Sequence, residues 1–237
     1  VGALYEAFSK GLSSPLPELP IQYADFAVWQ RSWLKDEVLE KQLEYWKKKI
    51  GINPPLLNLP LDHPRPPVQT FHGDAVAGQL SKELSDNLNQ LAQRYSVTPF
   101  MVLLAAFQTL LHHYANQDEI LVGSPIANRN HRATEDLIGF FVNTLVLRSD
   151  FNLVNTFEEL LAQVRETTLG AYAHQDLPFE QLVEVLQPER DMSYSPLFQV
   201  MFVLQNTPPG SQQMEFPSIR LEVLEAEERT SKFDLTL

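Results

Sequence analysis

The chain contains no cysteine. That excludes disulfides, thiolate nucleophiles and thiolate metal sites. Basic residues are also scarce: 18 Lys and Arg stand against 30 Asp and Glu, for a formal net charge of −12. So acidic a chain is a poor binder of a phosphate backbone, and nucleic acid is set aside as a partner. No stretch approaches the ~18 unbroken apolar residues that read as a membrane span. The N-terminal VGALYEAFSKG lacks the charged, apolar and cleavage regions of a signal peptide. A cytoplasmic protein without a membrane partner is the expectation. There is no G-x-G-x-x-G, no Walker loop and no G-x-S-x-G elbow. None of the six histidines is spaced from another by three residues, so no metal is expected.

What is present is an ordinary globular composition, 237 residues of which 44% are apolar and 20% charged. That suits one large domain or two small lobes. Periodicity places helices in VGALYEAFSKG, in IQYADFAVWQRSWL with Tyr23, Phe26, Trp29 and Trp33 on one face, and in LKDEVLEKQLEYWKKKI with Leu39, Leu43, Trp46 and Ile50 inward. Residues 52–70 carry six prolines and cannot be helix or central strand; they read as an extended linker. FHGDAVAGQLS reads as a strand. Ser81 caps a helix with Leu84, Leu88, Leu91 and Tyr95 aligned, and Thr98–Pro99 opens a buried one. EILVGSPIANR, IGFFVNTLVLRSDF, LFQVMFVLQN and SKFDLTL read as strands. Thr156 and Glu159 form a capping box for a helix with Phe157, Leu160, Leu161, Val164, Thr168 and Tyr172 inward. Pro178 starts a short helix that Asp176 can cap. Strands alternating with helices predict a layered α/β fold.

The adjacent pair His112–His113, followed by Asp118, is the first candidate for chemistry. Its position at the end of the buried helix gives it a structural role instead, as polar groups meeting the last carbonyls, with nothing to fix Asp118 against either ring. His174 and Asp176 precede the proline-started helix, and Arg190 and Asp191 precede two serines and a strand.

Four of these stretches, YADFAVWQ, IGFFVNTLVLR, HQDLPFEQLV and RDMSYSPLFQVMFVLQN, resemble in order and spacing the later motifs of nonribosomal peptide synthetase condensation domains. VGSPIANR and LPLDHPRP match as well, so the resemblance covers essentially the whole chain. It implies a chloramphenicol acetyltransferase-like fold of two α/β lobes in a V with a tunnel between them. On it, residues 1–51 would be the last helices of the first lobe, 52–70 the inter-lobe linker and 71–237 a truncated second lobe. The activity implied is amide-bond formation: an acceptor amine attacks a donor acyl or peptidyl thioester. Both are carried on the 4′-phosphopantetheine arms of peptidyl carrier proteins, with an adenylation domain adjacent in the same synthetase, and the product belongs to secondary metabolism such as peptide antibiotics. No cofactor is bound directly.

The family's chemistry centres on HHxxxDG. HHYANQDE is not that motif: its Asp stands one residue too far and Glu119 takes the place of Gly. The resemblance therefore implies that the catalytic motif lies upstream of Val1, that no catalytic residue lies in this chain, and that the chain alone is inactive. It gives Arg129 as the partner of the motif's Asp and places Asn143 facing the tunnel. His174, Asp176, Arg190 and Asp191 are implied to be mostly structural. Epimerisation and heterocyclisation domains, or a non-catalytic carrier-docking lobe, are the alternative readings.

Overall fold

The protein is described from a computed structural model, which describes residues 2–51, 53–188, 191–205, 215–216, 219–220 and 230–237. Three helices come first: α1 (Gly2–Ser9), α2 (Tyr23–Trp33) and α3 (Asp36–Ile50). After an extended stretch follow α4 (Lys82–Arg94) and α5 (Pro99–Ala115), then β1 (Glu119–Ile126) and β2 (Asn143–Asp150). The chain continues through α6 (Phe157–Ala173), α7 (Phe179–Leu186), β3 (Val200–Met201), the hairpin β4 (Glu215–Phe216) and β5 (Ile219–Arg220), and β6 (Leu235–Thr236). The main sheet has the order β2-β1-β3-β6. β1 and β2 pair antiparallel, from Glu119 opposite Asp150 to Ile126 opposite Asn143, whereas β3 lies parallel to both β1 and β6.

The helix starts follow from local chemistry. Ser81 Oγ accepts the Leu84 N–H at 3.1 Å, and Thr98 Oγ1 accepts that of Met101 at 3.3 Å ahead of Pro99. The capping box at α6 is complete: Thr156 Oγ1 accepts the Glu159 N–H at 3.2 Å, and the Glu159 carboxylate accepts the Thr156 N–H at 3.2 Å. Each cap satisfies N–H groups that the first turn leaves without partners, worth about 1 kcal/mol. α5 ends where Asn116 turns left-handed at φ 50°.

α5 and α6 pack against the β1–β2 pair and each other, burying Leu104, Leu111, Ile120, Val122, Leu145, Leu147, Leu161 and Val164. Gln108 is buried with them because its carboxamide is fully engaged, donating to the Leu147 carbonyl at 3.1 Å and accepting from the Ser149 hydroxyl at 2.7 Å. The buried face of α6 is rotated from the expected one. Thr167 and Ala171 point inward, while Phe157 and Tyr172 are partly exposed, because α6 leans on α5 as well as on β2.

α3 packs onto the same core as the sheet. Its Trp46 and Ile50 are each 2% exposed, and the Trp46 indole donates to the His174 carbonyl at 2.8 Å. The proline-rich stretch is extended, as its composition requires, and it is strapped down. Gln199 accepts the Leu57 N–H at 2.9 Å, and Gln117 both accepts the Asn58 N–H at 2.7 Å and donates to the Leu56 carbonyl at 2.9 Å. Further along, Arg65 makes a two-pronged pair with Asp234 beside β6.

Three expected strands are shorter or absent. FHGDAVAGQLS contributes only an isolated bridge, His72 to Thr230. In LFQVMFVLQN the strand is Val200–Met201, and Leu197, left-handed at φ 65°, keeps the start of the stretch out of extended backbone. The end of that stretch lies outside the described residues. Residues 138–142 of IGFFVNTLVLR form a loop, and the strand begins only at Asn143.

Candidate active-site region

Four of the segments that carry the resemblance, YADFAVWQ, VGSPIANR, IGFFVNTLVLR and HQDLPFEQLV, meet at the Ile126–Asn143 end of the β1–β2 pair. β1 runs out into Asn128, left-handed at φ 51°, which turns the chain so that Arg129 folds back over the loop that follows. The Arg129 guanidinium donates to the carbonyls of Thr134 and Glu135 and lies over the Phe141 ring, 4.3 Å from its centroid. Among the described residues no carboxylate pairs with it. A guanidinium carries five donors, so part of its capacity remains for an anion.

Phe141 is held from the other side by α2. Phe26 packs on it at 4.8 Å and Tyr23 meets it edge-on at 5.2 Å. The aromatic face of α2 therefore docks on the loop after β1. Phe26 is buried with Leu137 and Phe141, and Trp29 stacks on Trp33 at 5.3 Å and meets His131 edge-on at 4.8 Å.

Asn143 is the joint of the region. Its amide nitrogen donates to the carbonyls of Gln175 at 2.8 Å and Leu177 at 2.9 Å; its oxygen accepts the N–H groups of Thr144 at 2.9 Å and Phe179 at 3.0 Å. The side chain is 6% exposed and spent on backbone. In this structure it points into protein, whereas the resemblance places it toward a channel. The cap of α7 is thus Asn143 and not the expected Asp176, which makes no cap bond there: Pro178 occupies the N-cap, and Asn143, across the loop, reaches the free Phe179 N–H.

His174 is committed as well. Its Nδ1 sits 2.8 Å from the Gly170 carbonyl and its ring stacks on Tyr45 at 3.9 Å and 2°. Asp176 closes the small space between α2 and the 128–131 loop, beside Trp29, Trp33 and His131. Burial pushes its carboxyl up from the ordinary range; the His131 charge, a bond from Asn130 and the His174 charge pull the other way. Hydrogen bonding from the Ser193 hydroxyl and then from its N–H, at 2.7 Å, holds the Asp191 carboxyl below the usual range, with Arg65 adding to it. Arg190 lies outside the described residues.

The His112–His113 pair is held as a helix end. His112 Nδ1 meets the Gln117 carbonyl at 2.8 Å and its ring lies flat on Phe151 at 4.1 Å. Asp118 is nearer than the sequence suggested, 3.7 Å from the same nitrogen, but that nitrogen is already taken. No group of three or more metal-ligating side chains occurs among the described residues. No single helix among them is long and apolar enough to cross a membrane.

A family model for the condensation domain matches residues 1–237. This chain belongs to the condensation-domain family of nonribosomal peptide synthetases. The condensation domain is 58% identical over 98% of its length to a linear gramicidin synthase of Brevibacillus parabrevis, and 49% identical over 99% to malpinin synthetase of Mortierella alpina. It spans only 5% and 3% of those large synthetases. Among solved structures, the X-domain from teicoplanin biosynthesis superposes with a TM-score of 0.89 at 24% identity, covering 99% of this chain and 53% of that one. A four-domain nonribosomal peptide synthetase bound to AMP and glycine superposes at 0.77 with 30% identity, covering 89% of this chain and 16% of that one. The fold is thus the chloramphenicol acetyltransferase-like α/β fold of this family.

The residues that sequence reasoning missed share one property. Gln117, Gln199 and the Arg65–Asp234 pair act on segments distant in sequence, and nothing local marks them.

Proposed function

We propose that this chain is the carrier-facing part of a domain that joins a donor acyl or peptidyl thioester to an acceptor aminoacyl amine. Both substrates would arrive on the 4′-phosphopantetheine arms of peptidyl carrier proteins, and an adenylation domain of the same synthetase would load the acceptor. The observation that supports the reading most is a convergence of distant segments. Residues from α2, the end of β1, the 138–142 loop and the 174–179 turn meet around Arg129, Phe141 and Asn143.

The chemistry follows from what these residues offer and lack. Amide formation needs a base or positioning group for the amine and a frame that aligns two thioesters. The residues present supply a frame and one cation with donors to spare. His112 and His174 are engaged in stacking and backbone hydrogen bonds and His131 packs on Trp29, so the general base would belong to an HHxxxDG motif elsewhere in the domain. Its Asp would pair with Arg129, much as a buried carboxylate braces a catalytic imidazole. Residues 1–237 alone would then form no amide bond.

The test is a double-mutant cycle in the full condensation domain. Arg129→Ala and the motif Asp→Ala should each lower the rate of dipeptide formation and the melting temperature, by about 3–5 kcal/mol for a buried pair broken on one side. The double variant should cost no more than either. Arg129→Lys should rescue in part, since lysine lacks the planar fork. Simple additivity would show that the two residues do not touch.

A further inference from the structure

α2 and the 138–142 loop stand more than a hundred residues apart in sequence, yet they meet with a fit that leaves no slack. The Tyr23 hydroxyl donates to the Phe140 carbonyl at 3.0 Å. The Tyr23 ring lies directly on Gly139: a Cβ there would stand 2.3 Å from Tyr23 Cδ2 and 2.8 Å from Cγ. Gly139 is not in the left-handed region, so the need for glycine comes from close approach and not from backbone conformation. Two residues on, Phe141 carries the Arg129 guanidinium on one side and Phe26 and Tyr23 on others. The contact therefore runs as a series: Tyr23 on Gly139 and Phe140, Phe141 in an aromatic cluster, Arg129 over Phe141.

The loop needs such a support. Ile138 is 95% exposed and Phe140 74%, so their side chains contribute almost nothing to holding the backbone in place. The packing anchors of this stretch are Leu137 and Phe141, and both are buried against Phe26. Without the ring over Gly139 and the bond to the Phe140 carbonyl, the three residues between those anchors would have little to hold them.

We propose that Tyr23 is a positioning residue for the condensation reaction: seated on Gly139 and bonded to the Phe140 carbonyl, it sets the 138–142 loop and, through Phe141, the aim of the Arg129 guanidinium. The proposal rests on the reading of this chain as part of an amide-forming domain. It gives the YADFAVWQ stretch a task beyond helix packing, because a change on α2 is felt at the end of β1. Tyr23→Phe keeps the ring over Gly139 and removes only the hydrogen bond, so it separates positioning from packing.

The experiment uses the domain in its synthetase module, with donor- and acceptor-loaded carriers. Tyr23→Phe should lower kcat about fivefold, the loss of one ordinary hydrogen bond expressed at the transition state. KM for the loaded acceptor carrier should stay within about twofold. Amide exchange across residues 138–142 should become faster. Gly139→Ala should depress kcat in the Tyr23 background and cost clearly less in the Tyr23→Ala background, since removing the ring takes away the 2.3 and 2.8 Å contacts and leaves Phe141 Cε2 at 3.0 Å. An unchanged kcat and unchanged exchange in Tyr23→Phe would overturn the proposal, as would strict additivity of Gly139→Ala and Tyr23→Ala. A wild-type module that makes no dipeptide would overturn the underlying reading instead, while exchange and the double-variant comparison would still judge the contact.

Discussion

Replacing Asn143 by alanine removes the joint between β2 and the turn before α7. Four groups lose this partner: the Gln175 and Leu177 carbonyls and the N–H groups of Thr144 and Phe179. The Leu177 carbonyl lies beside a side chain that is 2% exposed and gains no ready access to water, whereas the other three are part-buried. An orphaned buried group costs about 1–3 kcal/mol, so a loss near 3 kcal/mol is expected in all. For a domain of this size that is a fall in melting temperature of about 6–12 °C. Asn143→Asp is the sharper probe. It keeps the shape and the acceptor for Phe179, but sets a carboxylate oxygen against two carbonyls. Burial and those dipoles raise the folded pKa of such an Asp above its unfolded value near 3.9. The folded state then binds the proton more tightly, so stability is greatest at acid pH and falls as pH rises through the window above that value. Thermal unfolding of the 237-residue chain, followed by tryptophan fluorescence at pH 5 and pH 8, measures both. A melting temperature for Asn143→Ala within about 2 °C of wild type, or an Asp variant whose deficit does not grow with pH, would refute the assignment of Asn143 as the joint.

Arg65 and Asp234 join the proline-rich stretch to β6, and the pair is partly buried; a double-mutant cycle should give a coupling of about 1–3 kcal/mol in urea unfolding, with Arg65→Lys recovering only part of it. Gly123→Ala should destabilise by about 1–3 kcal/mol, because the new Cβ would lie 2.2–2.7 Å from the Phe198 ring, and Phe198→Leu in the same chain should restore part of the loss in the same assay. Burial and the nearby Glu166 push the Tyr45 hydroxyl up to about 12, and its oxygen is buried without a hydrogen-bond partner. A native pKa above the unfolded value of about 10 means that stability is intact below pH 10 and falls as pH rises from there toward 12. Tyr45→Phe should leave stability at pH 7 unchanged or raised and should flatten that alkaline decline, read from melting temperatures between pH 8 and pH 11.

The parts of the fold that were legible in the sequence are those decided within a few residues. The caps at Ser81, Thr98 and Thr156 appear where their side chains and the following N–H groups require them. The buried nature of α5 and the cores of β1 and β2 follow from their apolar runs. What was not legible depends on contacts across the chain. IGFFV has the composition of a strand, but Tyr23 occupies the space above Gly139 and takes the Phe140 carbonyl, so the ladder starts only at Asn143. The strand expected over 197–206 begins only at Val200, after Leu197 turns left-handed at φ 65°. The 52–70 stretch was readable as extended, but not as clasped by Gln117, Gln199 and Asp234. At the site, Arg129 could be singled out only through the resemblance, and its setting over Phe141 came from the fold. The His112–His113 pair could be set aside from its place at a helix end, and its bond to Gln117 agrees with that.

The activity proposed for this domain is amide formation between two carrier-bound substrates. The most direct measurement is the intact mass of the acceptor carrier after one turnover with the full module, a donor-loaded carrier upstream and an acceptor loaded with its amino acid. The donor acyl group should move onto the acceptor amine, so that the acceptor carrier gains the donor's residue mass and the donor carrier returns to its free thiol form. An acceptor carrier of unchanged mass, with the donor still loaded or released to water, would contradict amide formation.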